Sequence, residues 1–459
     1  MYSKKSVITK GFLMKYKALP FSILTSTGFG GTGSSAGTNI LEEFSSVTSF
    51  GNDFECTFLH ETDGLFDLEK AFTEGHRLKT DLAIKRFLTL AENLQNEYYY
   101  KKYFDNLFYS SAEGFIKSII DCKWNGWWHR SLETKKISAK EYWRCFFAQL
   151  FFEKLYEKKH FSSYEPDSWT PSYHPVSPYY YGFKKDDFYE KAKQYIANVF
   201  SNLPVSTKYV VFDQLLPAYS IGNYSRYFDY IKILVIDKDP RDLYSVNKSE
   251  WGVGFIPSDV DEFINWYRAT RFERYKINTE WKDRALFLPF ESLIYDYDAS
   301  LEKIKTFTGL TTEEHAWKKK YFDPEKSIVN TQVYKRYPAL KEDIKKIENE
   351  LKEFCFPFEN YPPISIPEFP DTHIFIEDIQ KASEYVQYHG KLPQEYTKKT
   401  FSLIVNATHF ISTIKSFKVR KTKKLKCKGV IKVCIYLPLF PFEFIFFTFC
   451  FFYSRRGNI

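Results

Sequence analysis

The chain predicts an α/β fold of three layers, a parallel sheet with helices on both faces, and three observations carry that prediction. The first is FSILTSTGFGGTGSSAGTNILEEF from Phe21, an apolar run that enters a glycine-rich turn and then a helical pattern. The second, about 200 residues later, is IKILVIDKDPRDLYSVNK from Ile231, whose Ile233–Ile236 run is wholly apolar, as in a strand buried on both faces. The third is the long helical stretch between them. In both strand–turn–helix units, backbone N–H groups and a helix N-terminus are placed to hold an anion.

The first turn reads three ways. Gly28, Gly30, Gly31 and Gly33 let the backbone take positive φ and approach a ligand, and Ser34 and Ser35 offer hydroxyls at the helix start. GFGGTG fits G-x-G-x-x-G, for which an acid should follow about 20 residues on, near Glu55; Gly28 to Ser35 also has the spacing of G-x-x-x-x-G-K-[ST] with Ser34 in the lysine slot. The missing lysine counts against γ-phosphate chemistry. The third reading is a turn that only permits close strand–helix packing. From Asp67 to Lys159, runs such as LAIKRFLTLAENL and FIKSIID predict several packed helices. Ser162–Gly182 is a loop rich in Pro, Ser and Tyr, and DDFYEKAKQYIANVF returns the chain to the strand KYVVFDQ. CKWNGWWHR (122–130) suits stacking on a sugar ring or, equally, packing between helices. In the second unit, Asp239 suits an N-cap and Pro240 the first helical turn. Lys238 then stands at the strand end and Ser245 nearly two turns into the helix, both placed to face one phosphate. LFLPFESL gives a further strand, ALKEDIKKIENELKEFC a charged helix, and FPFENYPPISIPEFPD a Pro-rich connector before a last helix near 376–389.

This order of parts resembles the sulfotransferases that use 3′-phosphoadenosine-5′-phosphosulfate (PAPS), and within them the bacterial polysaccharide type. The resemblance covers residues 20–50 and 205–340, and it implies a P-loop-like fold. TGSS at Thr32–Ser35 is similar to the family's SGTT loop, which implies that Gly30, Gly31, Thr32, Gly33, Ser34 and Ser35 bind the 5′-phosphosulfate. KDPRD with Ser245 is similar to RDPRD…S, implying Lys238, Arg241 and Ser245 for the 3′-phosphate. Leu286–Leu310 resembles the strand and YEDL…L.KI..FLGL helix, and FDPEKSIVNTQVYK resembles the KSxxN…K segment that closes over the donor, implying Ser327, Asn330 and Lys335. Three departures stand out. Gly31 replaces the usual Lys or Arg, leaving Lys335 or Arg336 to meet the sulfonate; Lys238 replaces an arginine; and Ser245 is one residue nearer than usual, with Asn247 a candidate to share its role. Sulfuryl transfer to an alcohol needs a base but in principle no metal. The family's His or Glu at the central strand end is Asp213 here, with His60 the alternative base. Implied are a glycan or glycolipid acceptor and a role in surface polysaccharide synthesis. A nucleotide kinase or NTPase, and a catalytically inactive nucleotide-binding scaffold of a glycan assembly complex, are the competing readings.

Composition frames this. Residues 1–395 are expected to form one α/β domain, with 67–205 a largely helical insertion on the acceptor side, and 396–459 a basic then apolar tail. The formal charge of +8 is concentrated: nine Lys and Arg lie between Lys415 and Lys432 without an acid, and without these and Arg455 and Arg456 the remainder carries −3. The body therefore has no overall basic footprint for nucleic acid. Val433–Tyr453 is long enough as a helix to cross a bilayer, but Pro438, Pro441 and Glu443 interrupt it, so contact of 415–453 with an anionic cytoplasmic membrane face is the expectation. The seven Cys make no CxxC, which predicts reduced thiols, no zinc and a cytoplasmic location.

Overall fold

The structure is a computed structural model that describes residues 19–51, 54–126, 177–201, 203–251, 256–280 and 283–365, with Trp143 and Phe147 as isolated positions. The tail 396–459, the helix near 376–389, and Trp127, Trp128, His129 and Arg130 lie outside the described residues.

Five parallel strands form the central sheet: β1 (Ser22–Gly28), β2 (Val47–Ser49), β5 (Tyr209–Asp213), β6 (Ile231–Asp237) and β7 (Ala285–Pro289), in the order β2-β5-β1-β6-β7. β3 (Cys122–Gly126) and β4 (Ser177–Tyr181) make a separate antiparallel pair. Strand alternation explains the layers. Ile23, Val210, Phe212, Ile233 and Val235 face one side, where they meet helices α2 (Leu65–Glu74), α3 (Arg77–Asn96), α5 (Leu107–Ile119) and α6 (Phe188–Phe200); α4 (Tyr98–Phe104) links α3 to α5. Leu24, Val211, Leu234, Ile236 and Leu288 face the other, beneath α1 (Ser34–Glu42) and the helix Tyr297–Thr308. The expected three-layer α/β architecture is what the chain adopts, with a helical insertion between β2 and β5.

The aromatic residues of the insertion mostly pack: Phe58, Phe104, Phe108, Phe115, Tyr195 and Phe200 are buried in one cluster. Trp124 of the CKWNG segment stacks on Tyr179 across the β3–β4 pair, at 5.8 Å between ring centres. Among the described residues no helix is long and apolar enough to cross a membrane.

The topology places a crevice. The connection from β1 leaves toward β2 at one edge, whereas that from β6 leaves toward β7 at the other, and β1 and β6 are adjacent. Loops that part in this way open a cleft at the carboxyl ends of the two strands. Both motif turns begin there.

Candidate functional site

The two turns touch. Gly28 lies opposite Ile236 in the β1–β6 register, and Thr32 Oγ1 donates to the Ile236 carbonyl at 2.7 Å while accepting from Phe29 N at 3.1 Å. A Cβ on Gly28 would fall 2.1 Å from Thr32 Oγ1 and 2.9 Å from the Ile236 oxygen, so only glycine lets the turns close on each other. Gly33 takes φ 88° as the residue before α1, against the ring of Phe290, and no side chain caps the helix. Gly30 and Gly31 also have positive φ. Phe290 is shared: the Lys238 ammonium lies 5.2 Å from the same ring. Lys238 and the glycine loop thus share Phe290 as a neighbour.

The second turn opens the helix α7 (Pro240–Val246), capped as expected by Asp239, whose Oδ1 accepts from Arg241 N at 2.8 Å. Lys238 is 8% exposed and makes no ion pair among the described residues. Ser245 is fully buried, and its hydroxyl has no hydrogen-bond partner among the described residues. An unpaired buried ammonium and an unsatisfied buried hydroxyl one helix apart are the donors an anion would complete. Asn247 differs: its amide nitrogen is given to Ile256 O at 3.1 Å, which leaves only its acceptor oxygen unpaired. That polarity does not suit a phosphate.

Arg241 is committed elsewhere. Its guanidinium bonds Asp239 at 2.9 and 2.6 Å, Glu348 at 3.0 Å and Phe356 O at 2.9 Å, between the rings of Tyr334 and Phe358. The turn thus uses its arginine to brace its own cap rather than to present a fork to a ligand. Glu291 of the FESL element, fully buried, accepts from Asp239 N at 3.0 Å; burial, and behind it Asp239 and Asp242, hold its carboxyl well above the usual range. Arg271 braces the other side. It pairs with Asp237 at the end of β6, at 2.7 Å, and lies over Phe29 of the glycine loop at 4.3 Å.

The late segment is strapped across both turns by two buried carboxylates. Glu43, just after α1, accepts from Tyr321 N and Phe322 N at 3.2 and 3.1 Å and bonds His315 Nε2 at 2.8 Å. Asp242 of α7 accepts from Gln332 N and Tyr334 N at 2.8 and 3.1 Å, and its pKa is pushed up to about 7 by burial and by Asp239. Within this strap Ser327 is half-buried, Asn330 is exposed, and no hydrogen bond joins either to the turns. Lys335 is exposed and gives its ammonium to Gln332 Oε1 at 2.5 Å, while Arg336 bonds Val329 O.

At the end of β5 the structure separates two neighbours. Asp213 lies on the strand face of Tyr209 and Val211, beneath α1; it is 1% exposed and accepts from Thr38 Oγ1 at 3.0 Å. Its second oxygen has no hydrogen-bond partner among the described residues, and burial, abetted by Glu55, pushes its pKa up to about 7. Gln214 faces the glycine loop instead, at φ 57°. Its side chain accepts from Thr27 Oγ1 at 2.9 Å and donates to Ser34 Oγ at 2.6 Å, and its carbonyl meets His60 Nε2 at 2.7 Å. Glu55 bridges to Asp213 and sits off β5; with β5 between β1 and β2, the strand after the glycine loop is not its neighbour. The dinucleotide pattern, which needs an acid on that neighbouring strand, fails on this topology.

Sequence reasoning placed Gln214 beside Asp213 at the strand end without giving it a role, and it gave none to Glu43, Arg271 or Glu291. Only Glu291 carried a signal, as the acid of FESL; the others are defined by hydrogen-bond partners 34 to 279 residues away, where no local spacing points. No protein-family model and no curated protein matches the chain. Among solved structures it is similar to the sulfotransferase STF9 from Mycobacterium avium, at 11% identity and TM-score 0.30, covering 77% of this chain and 79% of that one. The sulfotransferase STF1 from Mycobacterium tuberculosis H37Rv follows at 12% identity and TM-score 0.26, covering 65% and 70%. A retinol dehydratase in complex with androsterone and inactive cofactor PAP matches at 11% identity and TM-score 0.27, covering 75% and 85%.

Proposed function

We propose that this protein is a PAPS-dependent sulfotransferase, moving a sulfonate to a hydroxyl of a glycan or glycolipid. The observation that carries the reading is the bond from Thr32 to the Ile236 carbonyl, which fastens a glycine-lined, uncapped helix start to the turn holding Lys238 and Ser245. Two anion-suited ends in contact at one crevice match a nucleotide with phosphate on both sides of its ribose. The residues present fit such a donor: the α1 N-terminus and Gly30–Ser35 take the 5′ end, and Lys238 with the unsatisfied Ser245 hydroxyl takes the 3′-phosphate. Bound PAPS supplies an activated sulfonate on a phosphate leaving group.

The chain's own residues orient it. Backbone N–H groups at the start of α1 would meet charge on the sulfonate oxygens, Lys238 beside Phe290 would hold the 3′-phosphate end, and the strap tied down by Glu43 and Asp242 would lie over the two turns. Lys335 and Arg336 stand on that strap, and Asp213 and His60 are the two groups near the loop that can accept a proton. Contact of 415–453 with an anionic membrane, surface polysaccharide synthesis and a cytoplasmic location belong to the same proposal. Isothermal titration tests its core: adenosine 3′,5′-bisphosphate is expected to bind at least tenfold tighter than ATP or NAD. Equal binding of the three would refute the assignment.

A further inference from the structure

We infer that the cavity between the segment after β2 and the junction of α3 with α4 is a binding site for a methylated organic ammonium group. It has a volume of about 430 Å³ and shares no lining residue with the two anion-suited turns. Glu55 and Glu61 line it from the segment after β2, and Glu97, Tyr98 and Tyr99 from the helix junction. Neither Lys nor Arg lines it, and none of the three carboxylates makes an ion pair among the described residues. Three negative charges around one cavity without a counter-ion raise one another's energy, and a bound cation relieves that cost.

The walls select the kind of cation. A metal ion needs several ligands converging on one point, and no group of three acids, His or Cys among the described residues could hold one. Aromatic rings supply the remaining surface. Tyr98 is 71% exposed, and its ring meets that of Tyr99 at 74°, with centres 5.0 Å apart. Two rings set near a right angle form a corner that offers negative π-faces to a trimethylammonium group. A primary ammonium is strongly hydrated and must replace its water with directed hydrogen bonds, which rings do not provide. Lys102 already rests 5.7 Å from the Tyr99 ring while donating to Tyr103 Oη at 2.9 Å, so this aromatic run attracts positive charge. The cavity is also held in shape. The buried Tyr100 hydroxyl accepts from Thr57 N at 3.1 Å and Phe58 N at 3.2 Å, tying the segment to α4. Thr57 Oγ1 donates to Glu61 Oε1 at 2.7 Å, and Glu55 is fixed by its bridge to Asp213 at the end of β5.

Proton NMR titration of the full chain with choline chloride tests the site. The N-methyl signal should move upfield, shielded by the rings, and the shift should saturate. 3,3-Dimethylbutan-1-ol, which has the shape of choline without its charge, should bind at least tenfold more weakly; ethanolamine, which keeps the charge without the methyl groups, should bind severalfold more weakly. Tyr98→Ala and Glu97→Gln, both at exposed positions, should each weaken choline about threefold to thirtyfold. Their affinity for adenosine 3′,5′-bisphosphate should stay within about twofold of the parent. Absence of saturable choline binding, equal binding of the neutral alcohol, or unchanged choline affinity in both variants refutes the site. Tighter binding of ethanolamine than of choline, or displacement of choline by equimolar calcium chloride, overturns the class of ligand. The comparison of choline with the neutral alcohol needs no variant, so it decides even where a substitution disturbs folding.

Discussion

The turn after β1 is made of backbone and hydroxyls, the turn after β6 of buried charge. In the first, three glycines with positive φ shape the loop and Thr32, Ser34 and Thr27 hold it, every bond running between neutral groups. In the second, Lys238, Asp239, Arg241 and Asp242 are all buried within five residues, with Glu291 behind them. Neutral hydrogen bonds are individually worth about 1 kcal/mol, while a buried charge without a partner costs several. The first turn is therefore shaped by what it lacks, side chains at Gly28 and Gly33 that would collide with Thr32, the Ile236 carbonyl and Phe290. The second is shaped by pairing, and Lys238 is its cation without an ion pair among the described residues. Phe290 joins the two, lying against Gly33 and 5.2 Å from the Lys238 ammonium.

The contrast breaks most sharply at Arg241 and Lys238. Arg241→Ala strips Asp239 of its bidentate partner inside the protein, and about 3–5 kcal/mol of stability should go with it, read as a lowered urea midpoint. Lys238→Ala removes a buried ammonium that makes no ion pair among the described residues, so the midpoint should hold or rise. Adenosine 3′,5′-bisphosphate affinity should instead fall by about 1.5–3 kcal/mol, the worth of a charge-assisted contact. If the two variants behave alike, bracing and binding are not divided between these residues as the geometry has it.

Asp213 tests the same division through pH. Burial pushes its folded pKa up to about 7, above the ordinary carboxylate value, so the native state binds the extra proton between those limits. Its contribution to stability is then complete below about pH 4, falls as pH rises toward 7, and is flat above. Asp213→Asn keeps the shape without the charge, and its urea midpoint should lose that part of the slope, ending more stable than the parent at pH 8 by on the order of 3 kcal/mol. Parallel pH profiles for the two proteins would mean that the buried carboxyl titrates normally.

How much of this was legible in the sequence follows from the same distinction. The glycines, the apolar run at Ile233–Ile236 and the Asp239-Pro240 helix start are local signals, and the sheet, the capped helix and the meeting of the two turns followed from them. Arg241 was read as a phosphate ligand because nothing in KDPRD tells a bracing arginine from a binding one; Glu348 and Phe356, which claim it, are more than 100 residues away. At the end of β5, a one-residue change of strand face sends Asp213 beneath α1 and leaves Gln214 at the mouth. A sequence shows that alternation only once the register against β1 is known. Lys335 and Arg336 were chosen for charge, and the strap that carries them is placed by Glu43 and Asp242, whose partners there are backbone groups without any residue signature.

The smallest effect is also the most direct on the contact between the turns. Thr32→Val keeps the volume and removes the hydroxyl, leaving Phe29 N and the Ile236 carbonyl without the partner they share. The cost to stability should be about 1–2 kcal/mol, since two buried backbone groups lose one bridging atom but no charge is exposed. Bisphosphate affinity should fall too, by severalfold, because the Thr32 hydroxyl sets how far the glycine loop stands from Lys238, and a nucleotide gripped at both ends is sensitive to that spacing. Calorimetry on this one variant weighs the halves against each other. A stability loss with unchanged affinity would mean that the loop keeps its place through Gln214 and Ser34 alone, and that the Thr32 bond serves the fold rather than the grip.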